Sequence, residues 1–472
     1  MNTRKLASDM VVAFFAQALS IASSVATTLI LPKILGVESF GYWQLFLFYV
    51  SYIGFFHLGL NDGVYLIHGG KRRSEIRKKE INSQFAFSCF YQILFSIIIS
   101  AIGIFGPFEE ERRFVIFAAS ILLTINNAGA FLGYVFQAMN ETKLFSKSIV
   151  VESAVLFSGL AVMLVLGIED FKLYILLFCA SKTIRLLFCI INAHDFIASG
   201  IEPLGRLIRQ SIISISVGIK LLFANIAGQL ILGVARFYVD LEWGIETFSI
   251  VSFSLSITTF FLMFLTQVSM VLFPHLKQSN KNSIETYYVL LRDSLAVLLP
   301  ALYLLYPLIS AVLNFWLPEY SQSIQLFIFL FPLCVFEGKM DIVCTTYFKV
   351  LRLEGKLLAI TCWTLLASLA ATLVGTYIFH SIIVILASIA FILGMRCLIS
   401  ERIVEAKLDV SHASVSWGTL IISIVFVAAF CAFNQFYAIL VYIFCYAIFL
   451  FINRKPFRTV LKSFKRLIIG KS

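Results

Sequence analysis

The residues able to do chemistry in this chain are charges set in apolar surroundings. Lys182 and Arg185 are three apart inside one long apolar run, so a helix would put both on one face. Lys220 and Arg236 sit in the next run, with Asn225 between them and Asp240 just beyond. Gln17 occupies a comparable place in the first run. Three carboxylates form a second group: Asp62, then Glu337 and Asp341, which are four apart with Lys339 between them. Glu152 stands near the start of another run. An ionised group at bilayer depth costs a few kcal/mol or more, so it faces a wet cavity or a partner. Convergent Lys and Arg side chains suit an anion, phosphate or pyrophosphate above all, because their donors match phosphate oxygens. Lys182, Arg185, Lys220, Arg236, Gln17 and Asn225 are therefore the candidate substrate-cavity residues. Asp62, Glu337 and Asp341 are candidate sites for coupling to H+ or Na+. The competing reading is that Lys182, Arg185 and Lys220 snorkel to the interface, or pair with Glu152 or Glu337.

The elements that position these groups follow from composition. Of 472 residues, 60% are hydrophobic, 13% are charged and 48 are Phe, with a mean hydropathy of +0.93. Soluble domains run near 45–50% apolar and about 25% charged. This chain could not cover a folded surface with polar groups, so a soluble enzyme is excluded and an all-α polytopic membrane protein is expected. A helix needs about 20 mostly apolar residues to cross the bilayer. Fourteen spans result, over roughly 10–31, 41–66, 84–105, 114–138, 147–167, 173–193, 211–238, 247–273, 287–313, 324–348, 356–379, 381–400, 413–432 and 434–452. They are numbered 1 to 14 below. No cleavable signal peptide is evident. The division between spans 11 and 12, near His380, is the weakest.

The net charge of +11 is mostly a topology signal. With alternating crossings, 27 Lys and Arg fall on the N-terminal side and only 4 on the other. The positive-inside rule puts the basic side, with both termini, in the cytoplasm. No nucleic-acid partner is implied. Loops on the acidic side are all short, so no external domain is expected. Trp43, Trp243 and Trp316 fall where outer-interface aromatic belts occur. Pro300, Pro307 and Pro332 should kink spans 9 and 10. All nine cysteines lie in spans and read as small membrane-buried hydrophobes, and no structural disulfides are expected. No phosphate-binding glycine loop, nucleotide motif or catalytic triad is present, so neither an enzyme nor an organic cofactor is expected.

An internal repeat is visible. Gly36-Val37-Glu38-Ser39-Phe40 recurs as Gly244-Ile245-Glu246-Thr247-Phe248, at an offset of 208. At the same offset Phe15-Ala16-Gln17 meets Phe223-Ala224-Asn225. Spans 1–6 and 7–12 therefore read as a parallel duplication, a known transporter symmetry with substrate handled at the repeat interface. The expected organisation is an N-terminal lobe over 1–200, a C-terminal lobe over 201–410, and spans 13–14 with a basic tail over 411–472. A net positive cavity between the two six-helix lobes, related by a pseudo-two-fold axis, is the expected site.

Residues 31–43, Leu31-Pro32-Lys33-Ile34-Leu35-Gly36-Val37-Glu38-Ser39-Phe40-Gly41-Tyr42-Trp43, open a longer pattern. It continues through Tyr49-Val50-Ser51-Tyr52-Ile53-Gly54-Phe55-Phe56-His57-Leu58-Gly59-Leu60-Asn61-Asp62-Gly63. This stretch resembles the polysaccharide-transport family, the Wzx-type O-antigen flippases of the multidrug/oligosaccharidyl-lipid/polysaccharide (MOP) superfamily. The resemblance implies a MATE-like fold. It implies transport of undecaprenyl-pyrophosphate-linked oligosaccharides for O-antigen and lipopolysaccharide biosynthesis across the bacterial cell inner membrane. It also implies membrane lipids as partners, together with the polymerase and chain-length proteins of the same pathway. The cations at 182, 185 and 220 fit the family's cationic cavity. A MATE-type multidrug antiporter is the alternative, but it predicts twelve spans and a carboxylate-centred cavity. A polysaccharide polymerase or ligase would need an external loop that this chain lacks. A non-transporting scaffold leaves the repeat and the buried charges unexplained.

Overall fold

The computed structural model describes residues 18–277, 281–411 and 414–454. Among them the chain is helical, with no strand. Lipid leaves a backbone N–H or C=O no partner outside its own segment, so long apolar segments have little choice but helix. Among the described residues eleven helices are long and apolar enough to cross a membrane. Two of these, Ala18–His57 and Leu204–Met263, each carry two of the fourteen sequence spans. Span 10 appears as shorter pieces, Ser321–Leu330, Pro332–Lys339, Met340–Thr345 and Thr346–Val350. Each of the fourteen segments is thus represented among the described residues, span 1 from residue 18 onward, and the protein is a multi-pass membrane protein.

The joins explain the merging. The helix from Leu31 to Ile53 is broken at Gly36, with φ 71° and ψ 179°. The helix from Leu204 to Lys277 is broken at Gly244, with φ 78° and ψ −177°. That backbone region is open essentially to glycine alone. The two glycines are the repeat-related pair, so the duplicated motif places one special conformation twice. Prolines segment spans 9 and 10 as expected. A 3-10 stretch covers Leu299–Leu305 with Pro300 at its start, Pro307 opens Tyr306–Trp316, and Pro332 opens the piece ending at Lys339. A π-helix follows at Met340–Thr345. Spans 11 and 12 are separate helices, Glu354–Tyr377 and Ile382–Leu408, and the Ser381 hydroxyl caps the second.

The chain divides into two compact units, Met1–Gln229 and Leu230–Ser472. The inner part of span 7 belongs to the first unit for a local reason. Gly63 and Gly218 allow the broken end of span 2 and span 7 to meet backbone to backbone, Gly63 against Ser214 and Gly218 against Gly59. The Ser214 hydroxyl also donates to Gln84 Oε1 of span 3 at 2.8 Å. Hydroxyl pairs bind span 3 to span 4, Ser96–Thr124 at 3.0 Å and Ser100–Ser120 at 2.6 Å, the short-side-chain contacts that membrane helices use. Trp43 departs from the expected interface belt. It is 1% exposed, packed edge-on to Phe178 at 6.1 Å. In the second unit spans 13 and 14 are fastened to span 9. Tyr303 pairs with Ser423 at 2.8 Å, and Tyr442 donates to the Pro300 carbonyl at 2.8 Å. The rings of Tyr303 and Phe426 stack at 4.4 Å.

Loops on the basic side of the first unit are clasped by Arg73. Its guanidinium donates to Asp195 at 2.6 and 3.2 Å, to Glu141 at 3.1 Å and to the Asn192 carbonyl at 2.6 Å. Lys78 adds a contact to Asp195 at 2.9 Å. Partial burial alone would raise the Asp195 pKa; hydrogen bonds from Arg73 and Lys78 outweigh it and hold the carboxyl down to about 2. Its folded pKa lies below the ordinary value near 4, so its stabilisation is present above pH 4 and lost as pH falls toward 2. Asp195→Asn should cost about 1 kcal/mol at pH 7 for so accessible a pair. Thermal melts of purified protein should show the gap from wild type closing between about pH 4 and pH 2.

A second expectation concerns the breaks. Gly36→Ala and Gly244→Ala should each destabilise by about 1–3 kcal/mol. Gly355→Ala, where an added Cβ meets nothing within 4 Å, should leave the melting temperature within a degree or two.

Candidate functional site

In the first unit the charges converge on one carboxylate. Span 6 runs Phe171–Asn192, its start capped by Asp170, which accepts from the Lys172 N–H. Three-residue spacing puts Lys182 and Arg185 on one face, as the sequence indicates. Facing them from span 5 is Glu152. Lys182 Nζ lies 2.6 Å from Glu152 Oε1, and Arg185 Nη1 donates to Glu152 Oε2 at 2.9 Å. The pairing reading therefore holds for both cations, and the three side chains carry one surplus positive charge. The side chains are 14–17% exposed, so the cluster is not sealed. Each cation also has a seat of its own. Lys182 lies over the Phe178 ring at 5.4 Å. Arg185 passes Gly133 of span 4, where a Cβ would come within 3.6 Å of Nη2. Arg185 Nε is buried without an acceptor among the described residues.

Asp62 sits at a break in span 2. Leu58 and Gly59 are both left-handed, and Asp62 lies in the first turn of the helix Leu60–His68 that follows, where the exposed N–H groups favour a carboxylate. His57 Nδ1 accepts from the Gly59 N–H, and its Nε2 is 3.8 Å from Asp62 Oδ2. Asn61 and Asn127 satisfy backbone carbonyls across spans 2 and 4. Lys220 and Asn225 are exposed on span 7, and Lys220 has no ion-pair partner among the described residues. Gln17 lies outside the described residues, so its pairing with Asn225 rests on sequence alone.

In the second unit Arg236 donates to Ser252 at 3.0 Å and lies over the Phe248 ring at 5.1 Å. Glu337 accepts from Arg396 of span 12 at 3.3 Å. Asp341 lies one turn further on, in the first turn of the π-helix. Lys339 takes a second partner on the same helix, Ile382–Leu408. Its Nζ is 2.7 Å from Glu401 of span 12, both side chains 1% exposed. Beside it Arg292 of span 9 holds Asp293 at 2.9 Å and Glu405 at 2.8 Å. Sequence reading missed Arg292, Asp293, Glu401 and Glu405. The available signal was the four-residue spacing of Glu401 and Glu405, just past the point where the apolar run of span 12 ends. Ligand-capable atoms of Cys344, Cys397 and Glu401 lie within 4.8 Å of one another, but Lys339 already neutralises that carboxylate, which makes the group a poor host for a cation.

No family model and no curated protein matches this sequence. Solved structures do. The Lipid II flippase MurJ, in an inward closed conformation, matches with a TM-score of 0.63 at 12% identity over 95% of this chain and 99% of that one. An inward-facing multidrug resistance MATE family transporter of the MOP superfamily matches at 0.60 and 12% identity, over 84% and 94%. A MATE protein in complex with MaL6 gives 0.53 at 11%, over 84% and 94%. At such identities the likeness defines the fold, and the fold is the MATE-like one.

The sealed pair makes a clear expectation. Lys339→Met alone strands the Glu401 carboxylate in an apolar setting and should cost about 3–5 kcal/mol. Lys339→Met with Glu401→Gln should recover most of the loss. Melting curves of the two variants in detergent check this.

Proposed function

We propose that the protein is a flippase that moves an anionic, lipid-linked oligosaccharide across the bacterial inner membrane by alternating access. The observation that carries this reading is the surplus positive cluster of Lys182 and Arg185 around Glu152, set within a chain otherwise built to sit in lipid. A pyrophosphate is the group in an undecaprenyl-pyrophosphate-linked sugar that cannot cross hydrocarbon unaided, and two convergent cations are what it needs. Lys220, Arg236, Asn225 and Gln17 are assigned to the same substrate path. Asp62, Glu337 and Asp341 are the assigned groups for coupling to H+ or Na+. The MATE-like fold supports a transport role, and the likeness to the 31–63 motif of Wzx-type flippases supports a cargo destined for O-antigen or a similar surface polysaccharide. Membrane lipids, and the polymerase and chain-length proteins of such a pathway, are the partners this reading implies.

Purified protein in vesicles should expose a fluorescent undecaprenyl-pyrophosphate-linked oligosaccharide to an outside quencher faster than empty vesicles do. Arg185→Ala with Lys220→Ala should lower that rate at least tenfold with protein levels unchanged. Wild-type rates in the double variant would remove the cationic site from the mechanism. Normal surface polysaccharide in a deletion strain without a second flippase would end the flippase reading.

A further inference from the structure

We propose that Glu152 is a resident counter-anion, holding in the empty protein the seat that the cargo's phosphate takes between Lys182 and Arg185, and leaving it when cargo binds. The inference rests on the cationic cluster's role in the flippase reading above. Its geometry is that of a stand-in. Each Glu152 oxygen takes one cation, Oε1 the Lys182 ammonium at 2.6 Å and Oε2 the Arg185 guanidinium at 2.9 Å. Two non-bridging oxygens of a phosphate can make the same two contacts.

Comparison of the two ion pairs shows which one can exchange. Lys339 and Glu401 are each 1% exposed, so separating them would leave two charges without water. Lys182, Arg185 and Glu152 keep 14–17% of their side-chain surface. The cluster is therefore open at the protein surface, which gives a departing carboxylate somewhere to go. The cations have neighbours besides the carboxylate, the Phe178 ring under Lys182 and Gly133 beside Arg185. Arg185 Nε, buried and without an acceptor among the described residues, shows that one carboxylate does not saturate the guanidinium.

Charge gives the direction. Two cations balance the two charges of a pyrophosphate diester. With Glu152 ionised in place as well, the cluster would be net negative, so the two anions compete. On the return step the carboxylate prevents two bare cations, one helical turn apart, from facing each other in a low-dielectric setting. Its return to the seat also helps expel the cargo.

The test measures binding of inorganic pyrophosphate and farnesyl pyrophosphate to the purified full chain in detergent. Glu152→Gln should bind both on the order of tenfold more tightly than wild type, since the competing charge is gone. It should also flip lipid-linked cargo more slowly, because release lacks its displacing group. Arg185→Ala should bind at least tenfold more weakly. If Arg185→Ala weakens binding while Glu152→Gln leaves it equal or weaker, Glu152 only positions the cations and the inference is wrong, though the flippase reading stands. If neither wild type nor Glu152→Gln binds pyrophosphate, the inference and the cationic site fall together, while the flipping assay still decides the flippase reading. Should Glu152→Gln fail to fold, Glu152→Asp decides. It keeps the charge but retracts it by one methylene, and should tighten binding by a smaller factor; no tightening overturns the proposal.

Discussion

Charge inside an apolar frame must be neutralised, and the helices of this protein are tied together where that happens. Removing a carboxylate or ammonium from water costs several kcal/mol even after relaxation, and only a close partner offsets it. Each buried charge therefore dictates which helix comes beside it. Glu152 draws span 5 to span 6. Glu401 draws span 12 to span 10, and Arg292 draws span 9 to span 12. Spans 5 and 6 are neighbours in sequence, but spans 9, 10 and 12 must be arranged by contacts of this directed kind, because lipid gives apolar side chains little reason to prefer one neighbour over another.

The same pairs divide by access into two kinds. Sealed pairs such as Lys339–Glu401 hold a unit together and have nothing to exchange with. The cluster at Glu152 is equally well bonded but open, and it carries a charge imbalance. Openness is what separates the two, because the group around Lys339 and Arg292 is itself unbalanced, two cations against three carboxylates, yet its cations are sealed. The Arg73 clasp illustrates a third case, four charges in balance outside the spans, where water makes the pairing worth little per contact and geometry matters more than energy.

Much of the frame is legible in the sequence. Segment length and hydropathy locate the spans, because the bilayer imposes one length on all of them. Prolines locate the segmented regions of spans 9 and 10. The repeated Gly-x-Glu-Ser/Thr-Phe motif locates both helix breaks, since only glycine adopts φ near 75° with an extended ψ. Other points were not legible. Trp43 reads as an interface residue but is buried against Phe178, because a ring's position in sequence does not say which neighbour covers it. Arg292, Asp293, Glu401 and Glu405 stand at span ends, where a charge is expected on topological grounds, so their burial left no mark on the pattern.

What the sequence by itself determined is the class of molecule: a polytopic helical membrane protein, its segments, its breaks and the handful of charges left within lipid-length runs. These follow from composition and period, which are properties of one segment at a time. Tertiary structure alone decided partnership. Lys182 and Arg185 could have snorkelled, paired or lined a cavity, and their spacing fits all three. Only the placement of Glu152 between them, 33 residues from Arg185 in the chain, shows that they are paired, open and still one charge in surplus. Pairing depends on distances between segments, and a one-dimensional pattern does not carry those distances.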